Sequence, residues 1–161
     1  MRRLFLLFRL GEDRYAVAAD AVLRVLPLQA LKQLPGAPDW VAGLLVHRGA
    51  PVPVIDLSRM AIGRPSRQLT STRIVLVNHR HGGQGAAHTL ALMLEGVTET
   101  GHRNPADFVP CGLDSPRARY LGPVLDEAEG MLQWVDVDAL LSDEARALLF
   151  PDAVAGALAC S

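Results

Sequence analysis

The sequence predicts a mainly β protein made of two similar units, each with about five short strands. Three observations predict this fold class. Short apolar segments alternate with turns containing glycine, proline or aspartate along nearly the whole chain. A stretch of the first half recurs in the second half. Helical spacing is confined to one segment near the middle and one near the end. Many short strands separated by turns favour small barrels over a sandwich.

The predicted strands follow one another with only two helical interruptions. The first strand is apolar at nearly every position, which predicts that both of its faces are covered. In the third strand, Val22, Arg24 and Leu26 share one face because side chains alternate along a strand. Strands are predicted at 4–10, 15–18, 22–26, 44–46, 52–55, 72–78, 87–94, 96–100, 120–125 and 131–135. A short helix is predicted at 57–62 and a longer one at 136–150, with an apolar stripe of Leu140, Leu141, Ala145, Leu148 and Leu149.

The internal repeat aligns residues 15–22 with residues 90–97, at a constant offset of 75 positions (90 − 15). The hairpin at 44–55 has a counterpart at 121–135, and both are followed by an aspartate, Asp56 or Asp136. We therefore expect a single domain with subdomain one at about 15–75 and subdomain two at 4–14 plus 76–150. Residues 151–161 are predicted to form a frayed tail. Neither unit is large enough to bury much surface alone, so the two should share a core by exchanging the first strand.

The segment 43–57 predicts a β-hairpin with an arginine at its tip. Gly49 supplies the positive φ that a tight reversal requires. Pro51 and Pro53 cannot donate to a ladder, which places their strand at an edge or beside a bulge. Arg48 has no obvious ion partner nearby in sequence, so its guanidinium should lie in solvent.

Charge and composition exclude several classes of function. The chain has 161 residues, with 16 basic and 17 acidic side chains, and a net charge of −1. Such a balance gives no long-range attraction to nucleic acid or to an anionic membrane. The two cysteines, Cys111 and Cys160, form neither a disulfide framework nor a zinc spacing, which is typical of a reducing cytoplasmic setting. The apolar start at 4–8 is interrupted by Arg9, which argues against a signal peptide.

No pattern of residues predicts catalysis, a metal site or a cofactor. Ser58 can be drawn in a triad with His47 and Asp56, but their spacing along one hairpin gives no reason for them to converge. His79 and His81 are predicted to lie in a solvated loop, since no third ligand has the spacing of a metal site. The glycine-rich run 82–85 lacks the helix and lysine of a phosphate cradle. The acidic residues at strand ends, which are Asp56, Glu95 and Asp136, are expected to act as caps and turn formers.

The remaining candidate features are contact features. Val22, Arg24, the loop 32–38 and Arg48 are predicted to lie near one edge of the first unit. Two interpretations stand open at this point. An open strand edge is a natural docking place for a partner. Equally, arginine and proline at an edge protect it against aggregation.

Three motifs resemble the CheW-like domain, the family of adaptors that couple chemoreceptors to the CheA histidine kinase. They lie at 11–17, at 38–43 and at 48–57, and the last motif is highly specific. The segment 131–141 resembles the closing strand and helix of that family. The resemblance covers about 4–150 and implies two intertwined SH3-like five-stranded β-barrels with short helices and a C-terminal helix.

The resemblance also implies function. It implies a non-catalytic, cytoplasmic adaptor at membrane-bound receptor arrays. Its partners would be a chemoreceptor's cytoplasmic hairpin tip and the regulatory domain of a CheA-type histidine kinase. It implies no contact with nucleic acid and no direct insertion into the membrane. The positions that match the receptor-binding residues are Val22, Arg24, Val25, Gly43 and Arg48. The kinase contact is not assigned to individual residues.

Departures from the family pattern refine these expectations. Family members often carry an acidic residue at the position of Arg24, and a polar pair at Val46 and His47. A basic edge predicts a dedicated receptor whose tip is acidic. The segment 32–57 also resembles adaptors of surface-sensing pathways that raise cyclic-di-GMP. The alternative to an adaptor is a free-standing small barrel that binds a ligand or regulates without coupling a receptor to a kinase.

Overall fold

The computed structural model describes residues 1–83, 85–112 and 118–151, and within them the chain is mainly β. The strands are β1 (Arg3–Leu10), β2 (Asp13–Ala18), β3 (Val22–Pro27), β4 (Val41–His47), β5 (Ala50–Asp56), β6 (Arg73–His79), β7 (His88–Arg103), β8 (Leu121–Glu127) and β9 (Gly130–Val135). The α-helices are α1 (Leu57–Ile62) and α2 (Asp143–Leu149). Short 3₁₀ turns lie at Ala19–Ala21, His81–Gly83, Pro105–Asp107 and Val137–Ala139. No described helix has the length and apolar character needed to cross a membrane.

The strands form two five-stranded barrels. Barrel one has the order β3-β6-β7-β5-β4, and barrel two has the order β7-β1-β2-β9-β8. In each barrel, one isolated bridge joins the last strand of the order to the segment that follows the first strand, and so it narrows the gap between the two end strands. These bridges are Lys32 to Leu44 and Val109 to Val124. Barrel two takes its first strands from the N-terminus and its last from the C-terminus, so the chain is intertwined, which confirms the predicted fold class.

The pairing registers confirm the internal repeat. The pair β3–β6 corresponds to the pair formed by the second half of β7 and β1. Arg24 lies opposite Leu76 in the first pair, and Glu99 lies opposite Leu7 in the second. Positions 24 and 99 differ by the same 75 residues that relate 15 to 90. The parallel pair β5–β7 likewise matches the parallel pair β2–β9. The repeat is therefore a structural duplication, because bulges and parallel pairings recur at corresponding places.

The two barrels share a core, as predicted. Its largest cluster joins Phe8 and Val17 of barrel two to Ile55, Val75 and Leu92 of barrel one. Each barrel also has a cluster of its own. That of barrel one is aliphatic and contains Leu45, Val52, Val54, Ile74, Leu76, Ala91 and Met93. That of barrel two is aromatic and contains Phe5, Phe108 and the flanking Trp134, and the Phe5 and Trp134 rings meet edge-on at 4.9 Å. Shared burial compensates for the small size of each barrel.

The predicted boundaries between the two units, near 15 and 75, differ from the observed strand pairing. β2 pairs with β1 and β9 and belongs to barrel two, whereas β6 and the first half of β7 belong to barrel one. The exchanged element is therefore the whole β1–β2 hairpin and not only the first strand. The cause is the parallel pairing of β2 with β9, which draws both strands of the hairpin into barrel two.

Two predicted strands, at 87–94 and 96–100, form one continuous strand of 16 residues, β7. Its first half pairs with β6 and its second half with β1. Gly96 lies between the halves with a φ of 62°, and a Cβ there would lie 3.2 Å from the Arg9 side chain. A glycine thus lets β7 pass from one barrel to the other close to β1.

The predicted C-terminal helix at 136–150 is wrong in extent. Asp136 caps a 3₁₀ turn by accepting a hydrogen bond from the Asp138 amide at 3.0 Å, and the α-helix begins only after Ser142. Ser142 accepts a hydrogen bond from the Ala145 amide at 3.1 Å. Two capped starts divide the segment, and Leu148 of the predicted apolar stripe is 50% exposed. The predicted frayed tail lies outside the described residues from 152 onward.

Candidate partner-binding edge of barrel one

Strand β3 is an open edge of barrel one. It pairs with β6 on one side and with no other described strand. Leu23 is 49% and Val25 42% exposed, and the Arg24 side chain is also exposed. Val22 is half-buried and packs against the shared core. The strand therefore presents free backbone groups, two apolar side chains and one cation to solvent.

The expectation that Val22, Arg24 and Leu26 share one face is wrong, because a bulge separates Val22 from Arg24. Val22 lies opposite Val77, and Arg24 lies opposite the neighbouring Leu76. Residues opposite each other in an antiparallel pair point to the same face, so the two side chains point to opposite faces. The bulge also leaves Leu23 unpaired and exposed, which no pattern in the sequence indicated.

The β4–β5 hairpin ends in the predicted arginine. His47 pairs with Ala50, and the two residues between them, Arg48 and Gly49, have φ values of 51° and 79°. Positive φ at both central residues is the signature of a type I′ turn, which matches the twist of the flanking strands. The Arg48 side chain is exposed and makes no hydrogen bond or ion pair with any other described residue. Val46 beside it is 71% exposed. Because side chains alternate between the two faces of a strand, the exposure of Val46 could have been predicted from the sequence once Leu45 was assigned to the core.

The two prolines lie in the half of β5 that pairs only with β4. Pro51 is opposite Val46 and Pro53 opposite Leu44, whereas the pairing with β7 begins at Val54. The predicted edge position therefore holds for the first half of β5 only. In that half the missing N–H groups remove no hydrogen bond to β7.

Gly43 is buried and serves a close backbone approach. A Cβ at this position would lie 2.6 Å from the Lys32 carbonyl oxygen and 3.0 Å from the Leu31 Cβ. The Lys32 amide donates to the Leu44 carbonyl at 2.9 Å, and the Leu44 amide donates to the Lys32 carbonyl at 2.8 Å. Gly43 thus lets the segment after β3 pair with β4. This pairing links the segment that follows β3 to β4, the other end strand of barrel one. β3 and the Arg48 tip are both exposed.

The structure does not bring together the catalytic triad that was considered from the sequence, since its His47 and Asp56 lie at opposite ends of one strand pair. His47 pairs with Ala50 at the start of β5, and Asp56 ends that strand six residues later, which corresponds to roughly 20 Å. Asp56 is 7% exposed, and both of its carboxylate oxygens accept hydrogen bonds at the start of α1 and from the loop after it. It accepts hydrogen bonds from the Arg59 amide at 3.3 Å, the Ser66 amide at 2.9 Å and the Ser66 hydroxyl at 2.6 Å. Its carboxylate therefore fixes the start of α1 and the loop that follows, as its predicted role as a cap required.

His79 is not in a solvated loop, contrary to the prediction. It ends β6, is fully buried, and its Nδ1 lies 2.8 Å from the Val137 carbonyl oxygen. Burial lowers the pKa of His79, although the hydrogen bond to Val137 and the charge of Asp138 act in the opposite direction. His81 pairs with Asp143 at the start of α2, and the Arg80 amide donates to Asp138 at 2.9 Å. These contacts join the end of β6 in barrel one to the C-terminal segment of barrel two.

The match to a protein-family model agrees with the two-barrel fold described above. The model described as the CheW-like domain matches residues 4–145, which is most of the chain. The chain belongs to the CheW-like domain family. Members of this family are non-catalytic scaffold and adaptor proteins. The chain is therefore a CheW-family adaptor of chemosensory signalling.

Individual relatives are similar over most of their length. The protein FrzA of Myxococcus xanthus is 37% identical over 122 residues, covering 74% of this CheW-like chain and 72% of FrzA. The chemotaxis protein CheW of Klebsiella aerogenes is 28% identical, covering 90% of this chain and 85% of that protein. The crystal structure of the scaffolding protein TtCheW from Thermoanaerobacter tengcongensis matches with a TM-score of 0.74 at 20% identity. That match covers 90% of this chain and 91% of TtCheW, and it shows the same fold.

Proposed function

We propose that this chain couples a chemoreceptor's cytoplasmic hairpin tip to a CheA-type histidine kinase. The single observation that carries the receptor half of the proposal is the open edge of barrel one. β3, which pairs on one side only, and the tip of the β4–β5 hairpin present two cations, Arg24 and Arg48, beside exposed apolar side chains. Unpaired strands and exposed apolar groups rimmed by charge are typical of peptide and helix docking surfaces.

Each proposed receptor-binding residue has a distinct role in this surface. Val25 supplies apolar contact, and Val22 anchors β3 to the shared core. Gly43 acts through the backbone, because it allows the pairing that holds the two end strands together. Arg24 and Arg48 supply charge. Two exposed cations favour a receptor tip with acidic residues, since opposite charges steer association and reject partners of like charge.

The kinase half of the proposal rests on the family. The adaptor would bind the regulatory domain of the kinase, which has the same family fold, and would sit in the cytoplasm beneath membrane-bound receptor arrays. The surface that meets the kinase is left open in this proposal. The receptor surface is proposed to be separate from it, so that one adaptor holds both partners together.

The test is a pull-down from the native host with the tagged chain, followed by identification of the receptor and kinase by mass spectrometry. Arg24→Glu and Arg48→Glu should each reduce recovery of the receptor by about tenfold or more, because each places a carboxylate opposite an acidic tip. Recovery of the kinase should be unchanged. Receptor recovery equal to wild type in both variants would sink the edge assignment.

The matched control is Arg64→Glu. Arg64 is an exposed arginine on the loop after α1, outside β3 and the β4–β5 hairpin. The same reversal of charge there should leave receptor recovery unchanged. A loss of receptor in Arg64→Glu comparable to that in Arg48→Glu would show that net charge, and not the edge, controls recovery.

The proposed output is a surface-sensing pathway that raises cyclic-di-GMP, on the resemblance of 32–57 alone. Deleting the gene should then lower cyclic-di-GMP in surface-grown cells, and the wild-type gene should restore it. Equal levels with and without the gene, together with lost flagellar or pilus taxis, would assign the adaptor to a motility pathway instead.

The alternative, a free-standing ligand-binding regulator, is favoured by one observation. A groove of about 760 Å³ lies between the barrels and is lined by Trp40, Met60, His81, Arg119, Leu140 and neighbouring residues. Its lining combines one aromatic and several aliphatic side chains with polar and charged groups that could orient a small molecule. If the pull-down recovers neither receptor nor kinase, and a cyclic dinucleotide raises the melting temperature of the purified chain, the regulator replaces the adaptor.

A further inference from the structure

A pocket of about 230 Å³ lies between the turn that joins β1 to β2 and the loop that follows α1. Gly11 and Glu12 of the turn contribute to its lining, as do Arg64 and Pro65 of the loop. The lining shares no residue with β3, with the β4–β5 hairpin or with the groove beside Trp40. The pocket is therefore separate from the two surfaces considered above.

The loop after α1 is anchored by two buried carboxylates. Asp56 accepts hydrogen bonds from the amide and the hydroxyl of Ser66, at 2.9 and 2.6 Å. Glu95 is 4% exposed and accepts hydrogen bonds from the amide of Arg67 and from its Nε, the latter at 3.2 Å. Arg64 comes just before these anchors in the chain, so its backbone is ordered before any ligand binds. Preorganisation of this kind lowers the entropic cost of binding.

Three polar side chains of the lining have no partner among the described residues. Arg64 and Glu12 form no ion pair or side-chain hydrogen bond, either with each other or with another described residue. The hydrogen bond from Arg9 at 3.1 Å goes to the backbone carbonyl of Glu12 and leaves its carboxylate free. Ser58 is only 2% exposed, and its hydroxyl makes no hydrogen bond with a described residue. The pocket therefore offers a cation, a carboxylate and a hydroxyl to a ligand.

Gly11 lets the free cation lie against the β1–β2 turn. Its φ is 63°, and a Cβ at this position would lie 3.0 Å from Nη2 of Arg64. The guanidinium of Arg64 therefore lies beside the turn that carries Glu12. The two opposite charges share one pocket, yet they do not pair, so a ligand can contact both.

The charges of the lining balance, since Arg64 and Arg67 stand against Glu12 and Glu95. Arg67 and Glu95 already pair with each other at 3.2 Å. A simple anion would meet the free carboxylate of Glu12, and a simple cation would meet the free guanidinium of Arg64. A ligand that carries both charges has an opposite partner for each of them.

We propose that this pocket binds a free α-amino acid with an apolar side chain. The ligand carboxylate pairs with Arg64, whose planar guanidinium suits a carboxylate, and the ammonium group pairs with Glu12. The Ser58 hydroxyl provides one further hydrogen bond. Ile62 and Pro65 supply the apolar part of the lining. The volume is below that of sites for drug-sized molecules, which fits a ligand as small as an amino acid.

Binding to this pocket involves neither a receptor nor a kinase, so the purified full-length chain is sufficient for the test. An isotope-labelled sample is titrated with L-alanine, L-valine and L-leucine, and amide chemical shifts are followed. L-Leucine should shift the amides of residues 11–12 and 58–67 in a saturable way. Its failure to bind would leave the receptor proposal standing, and lost receptor recovery would leave this one standing.

Two analogues of L-leucine separate the charges. Isocaproate lacks the ammonium group, and isoamylamine lacks the carboxylate. Each should bind about tenfold or more weaker than L-leucine, because each leaves one charge of the pocket without its partner. A plain anion site would instead bind isocaproate as well as L-leucine.

Matched variants assign each charge to its residue. Glu12→Gln should weaken L-leucine about tenfold without weakening isocaproate, which has no ammonium group to lose. Arg64→Gln should weaken L-leucine to a similar extent without weakening isoamylamine. A general loss of structure would weaken every ligand alike, so this crossed pattern identifies direct contacts. Arg48→Gln, at the exposed tip of the β4–β5 hairpin, is the control and should bind L-leucine as wild type does.

Three results would overturn the proposal. The first is the absence of saturable shifts with all three amino acids up to their solubility limits. The second is equal binding of L-leucine and isocaproate to the wild-type chain, which would make the pocket a site for anions in general. The third is a set of shifts centred on the groove beside Trp40, which would place the ligand elsewhere.

Discussion

The two hairpins that correspond in the repeat, β4–β5 and β8–β9, end in tips of opposite character. In barrel two, Glu127 near the tip accepts hydrogen bonds from Arg103 at 2.8 Å and from Arg14 at 3.1 Å, and Arg14 also reaches Glu129 at 3.5 Å. In barrel one, Arg48 makes no such contact among the described residues. The β8–β9 tip forms ion pairs with its own barrel, whereas the charge of the β4–β5 tip is exposed. The duplicated hairpins therefore diverged into a tip tied to its barrel and a tip with an exposed charge, which we propose as a contact site.

The largest expected effect is at the base of the free hairpin. Gly43→Ala should lower the free energy of unfolding by about 2 kcal/mol or more, because φ is +149° and the new Cβ meets the Lys32 carbonyl oxygen at 2.6 Å. Urea denaturation measures this loss. Gly49→Ala, whose Cβ meets nothing within 4 Å, should cost only the strain of its positive φ, about 1 kcal/mol. Equal losses in the two variants would show that the close approach to Lys32 is unimportant.

The anchored tip provides the second test. Glu127→Ala should lower the free energy of unfolding by about 1–2 kcal/mol, since it leaves the Arg14 side chain, only 10% exposed, without its closest partner. Glu129→Ala is the matched control. Its side chain is 78% exposed, so its pair with Arg14 should contribute less than about 0.5 kcal/mol. If both variants lose the same stability, the tip is held by something other than Glu127.

Glu127 should also make stability depend on acid. Burial tends to raise the pKa of its carboxyl, but hydrogen bonds and charge from Arg103 and Arg14 outweigh burial and hold the pKa below its ordinary value of 4.5. The stabilisation is therefore present above pH 4.5 and is lost as pH falls through the lower pKa of the folded state. In Glu127→Ala this part of the acid-induced loss should be absent. Parallel stability curves for wild type and variant below pH 4.5 would contradict the assignment.

A smaller effect is expected where the repeat replaces a leucine by a histidine. In the two strand pairings, His79 of β6 corresponds to Leu10 of β1, and both side chains are buried. Burial lowers the pKa of His79, so the unfolded chain takes up a proton below about pH 6.5 while the folded chain resists it. Stability should therefore fall as pH decreases from 6.5 towards the lower pKa of the folded state.

His79→Leu tests this by copying the residue of barrel two. At pH 8 it should cost about 1 kcal/mol, because the Val137 carbonyl loses its hydrogen bond. Between pH 8 and 5.5 the variant should lose less stability than wild type. Thermal melting across this range gives both quantities, and an unchanged pH dependence would mean that another group titrates.

The smallest expected effect is a gain at the free tip. Arg48 has a φ of 51°, a left-handed conformation that asparagine tolerates better than arginine. Arg48→Asn should therefore raise the free energy of unfolding by about 0.5 kcal/mol while it weakens receptor recovery. In barrel two the residues of the tip, Ala128 and Glu129, have no positive φ, so Glu129→Asn should bring no such gain. A loss of stability in Arg48→Asn would show that the arginine stabilises the hairpin after all.

Local features of the fold were predictable from the sequence. Helix α1 lies at the predicted 57–62, because Asp56 is an evident cap and Gly63 an evident stop with a φ of 72°. Arg48 lies at the predicted tip because a two-residue turn ending in glycine has few alternatives. The repeat was visible because the duplicated strands kept similar apolar patterns. The proposal of a receptor edge needed the family resemblance, since edge residues alone fit docking and protection equally well.

Long-range features were not predictable. The parallel pair β2–β9 joins Tyr15 to Gln133, and no pattern in either strand indicates a partner so distant. That pairing determines that β1 and β2 belong to barrel two. The bulge in β3 likewise has no glycine to mark it, so the exposure of Leu23 was missed. His79 was placed in a loop because polar residues surround it in sequence, whereas Val137 and Phe150, which pack against it, lie far along the chain.

The intertwined order of the strands has a consequence for synthesis on the ribosome. The strands of barrel one lie between residues 22 and 94 and are all available once that segment has emerged. The β1–β2 hairpin is made before barrel one, yet its parallel partner β9 is made after barrel one. The apolar hairpin must therefore stay unpaired on one side while all of barrel one is synthesised, and an unpaired strand edge of this kind is prone to aggregate during folding.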